Sequence, residues 1–131
     1  MYKNEADIGK SLEILLPKHN LKRADIFIIT KIATYNHGEK CMQSIKESLD
    51  SLKMNYVDLI LIHWPGVKGF KQNDLKNSLK RKETWQSLEE AYRLGLTKLI
   101  GVSNYNIRQL NELLNYSKVR PHWLQVNTCE F

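Results

Sequence analysis

Apolar residues in this chain follow two rhythms that alternate along its length. Four short runs are apolar without interruption or nearly so: Ile26-Phe27-Ile28-Ile29, Leu59-Ile60-Leu61-Ile62, Leu99-Ile100-Gly101-Val102 and Trp123-Leu124-Gln125-Val126. Runs that do not alternate with polar residues suit strands buried on both faces of a parallel sheet. Four other segments carry apolar residues at helical spacing: Ile8, Leu12, Leu15 and Leu16; Met42, Ile45, Leu49 and Leu52; Trp85, Leu88, Ala91 and Tyr92; Ile107, Leu110, Leu113 and Leu114. These spacings predict helices over about 5–16, 40–52, 84–94 and 107–115, and strands over 25–31, 57–62, 98–102 and 123–127. Asn4 and Asn106 stand where helices begin, and Gly95 suits a helix end. Pro17 and the polar Lys18-His19-Asn20 stop the first helix. The order α-β-α-β-α-β-α-β predicts an α/β fold, with parallel strands joined by right-handed crossovers.

Each predicted strand stops on polar residues. The first ends at Thr30-Lys31, the second at His63-Trp64-Pro65, the third at Ser103-Asn104 and the last at Asn127-Thr128. Polar groups gathered at the C-terminal ends of parallel strands are where α/β folds place active sites. The pattern therefore points to part of an enzyme.

Composition narrows this only in places. At 131 residues, 42% hydrophobic and 26% charged, the chain has the length and core material of one domain and argues against disorder. The net charge of +6 suits anionic partners without choosing among them. A basic stretch over 66–82 carries Lys68, Lys71, Lys76, Lys80, Arg81 and Lys82. Without a recognised nucleic-acid fold or an interleaved aromatic platform it reads as a solvated loop, and no nucleic-acid partner is expected. No run has the ~20 apolar residues of a membrane span, and the first residues lack an apolar signal segment. A cytoplasmic location, no membrane contact and reduced thiols at Cys41 and Cys129 are the expectations. His19, His37, His63 and His122 lie far apart, with no metal-ligand spacing, so no metal is expected.

Five segments together carry a family resemblance. Ile62-His63-Trp64-Pro65 resembles the motif at the fourth barrel strand of the aldo-keto reductases, and Lys98-Leu99-Ile100-Gly101-Val102-Ser103-Asn104-Tyr105 resembles that family's fifth-strand signature. Phe27-Ile28-Ile29-Thr30-Lys31 is similar to its third strand, Tyr2-Lys3-Asn4-Glu5 to the sequence after its second, and Val126-Asn127-Thr128-Cys129-Glu130-Phe131 to its sixth. The match is in order from first residues to last. It implies a single partial domain over 1–131, a (β/α)8 TIM barrel incomplete at both ends.

The resemblance also implies a chemistry, in which NADPH delivers hydride to a carbonyl carbon and an aldehyde or ketone becomes an alcohol. Tyr2 would be the proton donor and Lys31 the cation that lowers its pKa. His63 would orient the carbonyl oxygen, and Trp64 would wall the substrate pocket beside it. Ser103 and Asn104 would hold the nicotinamide carboxamide, although Ser-Asn alone is a common turn or cap. The family glutamine that shares this task corresponds to Thr128, and Gln125, three residues upstream, is expected out of reach. The family's catalytic aspartate and the basic cluster for the cofactor's 2′-phosphate find no counterpart among these residues. A non-catalytic fragment that acts as a binding or regulatory partner is the alternative. Open barrel edges predict self-association or a partner that completes the barrel, with Ile26, Ile28, Leu59 and Leu61 exposed.

Overall fold

A computed structural model describes residues 4–126. Tyr2, Thr128 and Cys129, and the predicted continuation of the last strand to Asn127, lie outside the described residues. Four helices alternate with four strands: α1 Glu5–Lys18, β1 Ile29–Ile32, α2 Cys41–Leu52, β2 Val57–Ile62, α3 Lys76–Arg93, β3 Thr97–Ser103, α4 Ile107–Tyr116 and β4 Trp123–Gln125. All pairings are parallel, and the spatial order β1-β2-β3-β4 is the order of the sequence.

The two faces of the sheet are separated by the two-residue period of a strand. Ile32, Ile60, Ile62, Ile100 and Val102 pack with Ile45, Leu49, Trp85, Leu88 and Leu113 in the core beneath the helices. Their strand neighbours Lys31, Leu61, Gly101 and Trp123, cross-paired in one row, take the opposite face. Gly101 has no room for a side chain there. A Cβ on it would meet the Trp123 carbonyl, and the Leu61 Cδ2 at 2.8 Å. This packing corrects one expectation. Leu59 and Leu61 are each only 1% exposed, because neighbouring strands close over them. In and beside the strands, exposed apolar residues lie instead at the sheet edges: Phe27 and Ile29 on one side, Trp123, Leu124 and Val126 on the other.

Local chemistry accounts for the element boundaries. Asn106 caps α4 through a reciprocal pair, accepting from the Gln109 amide while Gln109 Oε1 accepts from the Asn106 amide, both at 3.0 Å. Asn4 makes no such side-chain bond at α1. Helix α3 starts eight residues before the sequence pattern suggests. Asp74 accepts from the Lys76 amide at 2.9 Å, and the buried Asn77 accepts from the Val67 amide and donates to the Lys71 carbonyl. Strand β1 is shorter than predicted, because residues 23–25 form a turn of 3-10 helix. The Ile28 carbonyl accepts from the Asp58 and Leu59 amides just ahead of the ladder.

At the N-terminal end of the sheet Asp58 is buried among cations. It accepts from Arg23 at 2.7 Å and from the Ile28 amide at 2.9 Å, and pairs with Lys98 at 3.0 Å. Both cations lie over the Tyr56 ring, 4.3 and 4.6 Å from its centroid. Glu5 of α1 accepts from Thr30 of β1 at 2.6 Å and from Ser48 of α2 at 3.2 Å, joining three elements through one carboxylate.

Candidate active site

The C-terminal ends of the strands bring Lys31, His63, Ser103 and Gln125 to one rim. Lys31 and Leu61 are cross-paired, Leu61 and Gly101 likewise, and Ser103 pairs with Gln125. Alternation then sets His63, two residues after Leu61, on the same concave face as Ser103. The backbone carries this alignment past the last strand residues. The His63 amide donates to the Ile32 carbonyl at 3.1 Å, and the Asn104 amide donates to the Gln125 carbonyl at 2.9 Å.

Asn104 adopts a left-handed conformation, with φ of 61°, which asparagine tolerates better than most residues. This turns its amide back across the rim. Nδ2 donates to the His63 carbonyl at 2.9 Å and to Ser103 Oγ at 3.0 Å. Asn104 thus fastens the ends of β2 and β3. Ser103 is buried, and because its oxygen accepts from Asn104 its own proton remains to be given. That arrangement fits one end of a carboxamide, which needs a donor for its oxygen and an acceptor for its NH2 group.

His63 is half-buried, and its pKa is lowered first by burial and then by the Lys31 cation. A neutral imidazole beside a lysine can donate a hydrogen bond to a carbonyl oxygen near neutral pH. Trp64 is exposed, its ring 6.2 Å from that of His63 and tilted by 44°, so it stands beside the rim. Lys31 and His63 also line the upper end of a groove of about 560 Å³ along the free edge of β1.

The structure changes one sequence expectation here. Thr30 belongs to the helix side, where Glu5 holds its hydroxyl, and contributes nothing to the rim. Gln125 of β4 pairs in register with Ser103 of β3. Cys41 is wholly buried and remote from the rim, and burial pushes its thiol up to about 12. The basic stretch has also partly dissolved into pairs, Arg81 with Glu112 and Lys80 with Glu83, each at 2.7 Å. Among the described residues no group of three or more His, Cys, Asp or Glu is placed to hold a metal, and no helix is long and apolar enough to cross a membrane.

Comparison with known proteins gives this geometry a lineage. The sequence model of the Aldo/keto reductase family matches residues 1–131. The chain belongs to that family. It is 36% identical to aldo-keto reductase family 1 member A1 of Cricetulus griseus, over 96% of this chain and 42% of that protein. With the glyoxal reductase of Bacillus subtilis it shares 35% identity, over all of this chain and 41% of that one. Among solved structures, the aldose reductase of Schistosoma japonicum superposes with a TM-score of 0.82 at 37% identity, covering 97% of this chain and 46% of the other. An aldo-keto reductase of Bombyx mori in complex with NADP gives 0.85 at 32% identity, with 97% and 41% covered. The chain therefore spans a little under half the length of these relatives, and its four-stranded sheet is a part of the family's (β/α)8 barrel.

Proposed function

We propose that this chain carries the central part of an NADPH-dependent reductase site that converts an aldehyde or ketone to an alcohol. The observation that carries the reading is the convergence of Lys31, His63, Ser103 and Gln125 on one rim, fixed by strand register and by the Asn104 bridge. Membership of the family and the NADP-bound likeness from Bombyx mori support it.

Bound at this rim, a reduced nicotinamide would supply the hydride. Ser103 and the Gln125 amide would fix the carboxamide, which sets the ring plane and the face presented to substrate. His63, kept neutral by burial and by Lys31, would donate to the carbonyl oxygen as charge develops there. Lys31 would stabilise a neighbouring phenolate and so lower that phenol's pKa. By resemblance the phenol is Tyr2, which gives its proton to the nascent alkoxide. Trp64 would exclude water from one side of the carbonyl. The preference for NADPH is carried from the family and from the NADP-bound likeness.

Cofactor binding tests the reading. Trp64 and Trp123 flank the rim, so titration with NADPH should quench tryptophan fluorescence saturably, and Ser103→Ala and Gln125→Ala should each weaken binding several-fold. Absence of quenching in a folded sample would reject the site as a cofactor seat for this chain. A second reading, a non-catalytic reductase-fold partner, is favoured by the open groove beside β1. Turnover of any carbonyl by the chain, abolished in Lys31→Met, would exclude it.

A further inference from the structure

Three loops carry the rim, one after each of β1, β2 and β3, and helix α3 reaches all of them through one stripe of side chains. Asn77, Arg81, Thr84, Leu88 and Ala91 recur at helical spacing, and all are buried. The stripe is apolar at Leu88 and Ala91, which lie in the core beneath the sheet. Towards the start of the helix, past the ends of the strands, it turns polar, and each polar residue grips a loop. Thr84 Oγ1 accepts from the Gly38 amide at 2.8 Å. Gly38 lies so close to the helix that a Cβ on it would meet Lys80 and Glu83. Asn77 holds the Val67 amide and the Lys71 carbonyl. Arg81 donates to the carbonyl of Pro65, two residues past His63, at 3.3 Å. Its fork also engages both carboxylate oxygens of Glu112 on α4, at 2.9 and 2.7 Å. Asn106, two residues past Asn104, caps that same helix. Helix α3 packs between α2 and α4, so none of these contacts lies at an open edge of the sheet.

A buried ion pair adds little strength. Desolvation offsets most of the Coulomb attraction, and well-packed apolar side chains of similar volume hold such a position as firmly. The Arg81 side chain is only 7% exposed, so this cost applies to it. What the pair supplies is direction, because a planar fork on a carboxylate fixes one arrangement where an apolar contact admits several. We propose that Arg81, through Glu112 and Pro65, is a positioning residue for the rim, fixing from the helix side the same two loops that Asn104 fastens at the rim itself, and so setting His63 against Ser103. Asn104 joins those loops directly, through the His63 carbonyl. Arg81 joins them from beneath, through Pro65 on one side and α4 on the other. The inference rests on the reductase reading only for what the rim binds.

Replacing both partners by apolar residues separates position from stability. Arg81→Met combined with Glu112→Leu removes the two charges together, and the melting temperature should stay within a few degrees of the parent chain. The amides of His63 and Asn104 bond across to the Ile32 and Gln125 carbonyls. In the double variant they should lose about tenfold in hydrogen-exchange protection, followed by NMR, while amides in the middle of β2 keep theirs. NADPH should bind several-fold more weakly, in proportion to the time the loops spend out of place. Should the double variant fail to fold, Arg81→Lys, which keeps the charge and loses the fork, carries the same expectations for exchange and affinity. A folded variant with rim protection unchanged, or with affinity unchanged where the parent binds, would overturn the inference. So would protection lost evenly over the sheet together with a lowered melting temperature, since the pair would then be structural only. A parent chain that binds no NADPH would reject the cofactor seat, and the exchange rates would still decide the role of Arg81.

Discussion

Replacing Asp58 by Asn is the sharpest test of how the closed end of the sheet is held. The substitution keeps the volume and removes the charge. Asn Oδ1 can still accept from the Ile28 amide, but its NH2 group then faces the Lys98 ammonium, a donor set against a donor. Arg23 loses its anion and keeps its bonds to the Ile26 and Tyr56 carbonyls. Breaking a fully buried ion pair costs about 3–5 kcal/mol. Here the carboxylate side chain is 4% exposed, while Arg23 is 21% and Lys98 55% exposed, so water relieves both cations when the anion goes. We expect a loss of about 2 kcal/mol after that discount. With a urea slope near ~2 kcal/mol/M, the unfolding midpoint should fall by about 1 M at neutral pH, at unchanged slope.

The pH dependence checks the cause. Burial pushes the Asp58 carboxyl up, and the Ile28 amide, Arg23 and Lys98 together outweigh it, so the folded pKa lies below the ordinary aspartate value. A depressed carboxyl stabilises fully above its unfolded pKa, and the contribution is lost as pH falls through the folded pKa. The gap between parent and Asp58→Asn should therefore narrow on acidification below the ordinary aspartate range. Urea titrations at a series of pH values measure this. A midpoint shift under ~0.3 M at neutral pH, or a gap that stays constant into acid, would refute the reasoning.

Three further outcomes follow from other sites. Gly101→Ala should cost about 1–3 kcal/mol by overpacking, read as a lowered melting temperature, because the new methyl meets the Trp123 carbonyl and Leu61. Asn106→Ala removes the reciprocal cap of α4 and should cost about 1 kcal/mol, whereas Asn4→Ala, at a helix start without a side-chain bond, should change stability by far less. His37 is buried with neither ring nitrogen hydrogen-bonded; burial first, then the Arg81 cation, pushes its pKa down to about 4. The unfolded chain takes up this proton first, so His37 lowers stability as pH falls from the ordinary 6.5 towards 4. His37→Phe should flatten that part of the melting-temperature profile, and an unaltered profile would show that other groups produce it.

The strands were legible because continuous apolar runs leave few alternatives, and β2 was read to the residue. The first two turns of α3 were not, since Lys76-Asn77-Ser78-Leu79-Lys80-Arg81-Lys82 shows no apolar period. What organises it is Asn77, which folds the preceding loop back through hydrogen bonds that no pattern reports. Helical spacing named Ile8, Leu15, Ile107 and Leu114 as core but could not tell a flank that meets a neighbour from one that is left open. At the rim, position at strand ends brought Lys31, His63, Ser103 and Asn104 forward, while the roles proposed for them come from the family resemblance. The level of Gln125 on the rim could not be counted along its own strand; that needs the cross-strand pair with Ser103.

Strand order that copies sequence order has a consequence for synthesis. As the chain leaves the ribosome, each strand needs only the strand made just before it, already in place with its crossover helix. Each step among the described strands closes a loop of one helix and its connections, a modest entropic cost. The growing edge serves as the template for the next arrival, so the sheet can be laid down at the pace of translation.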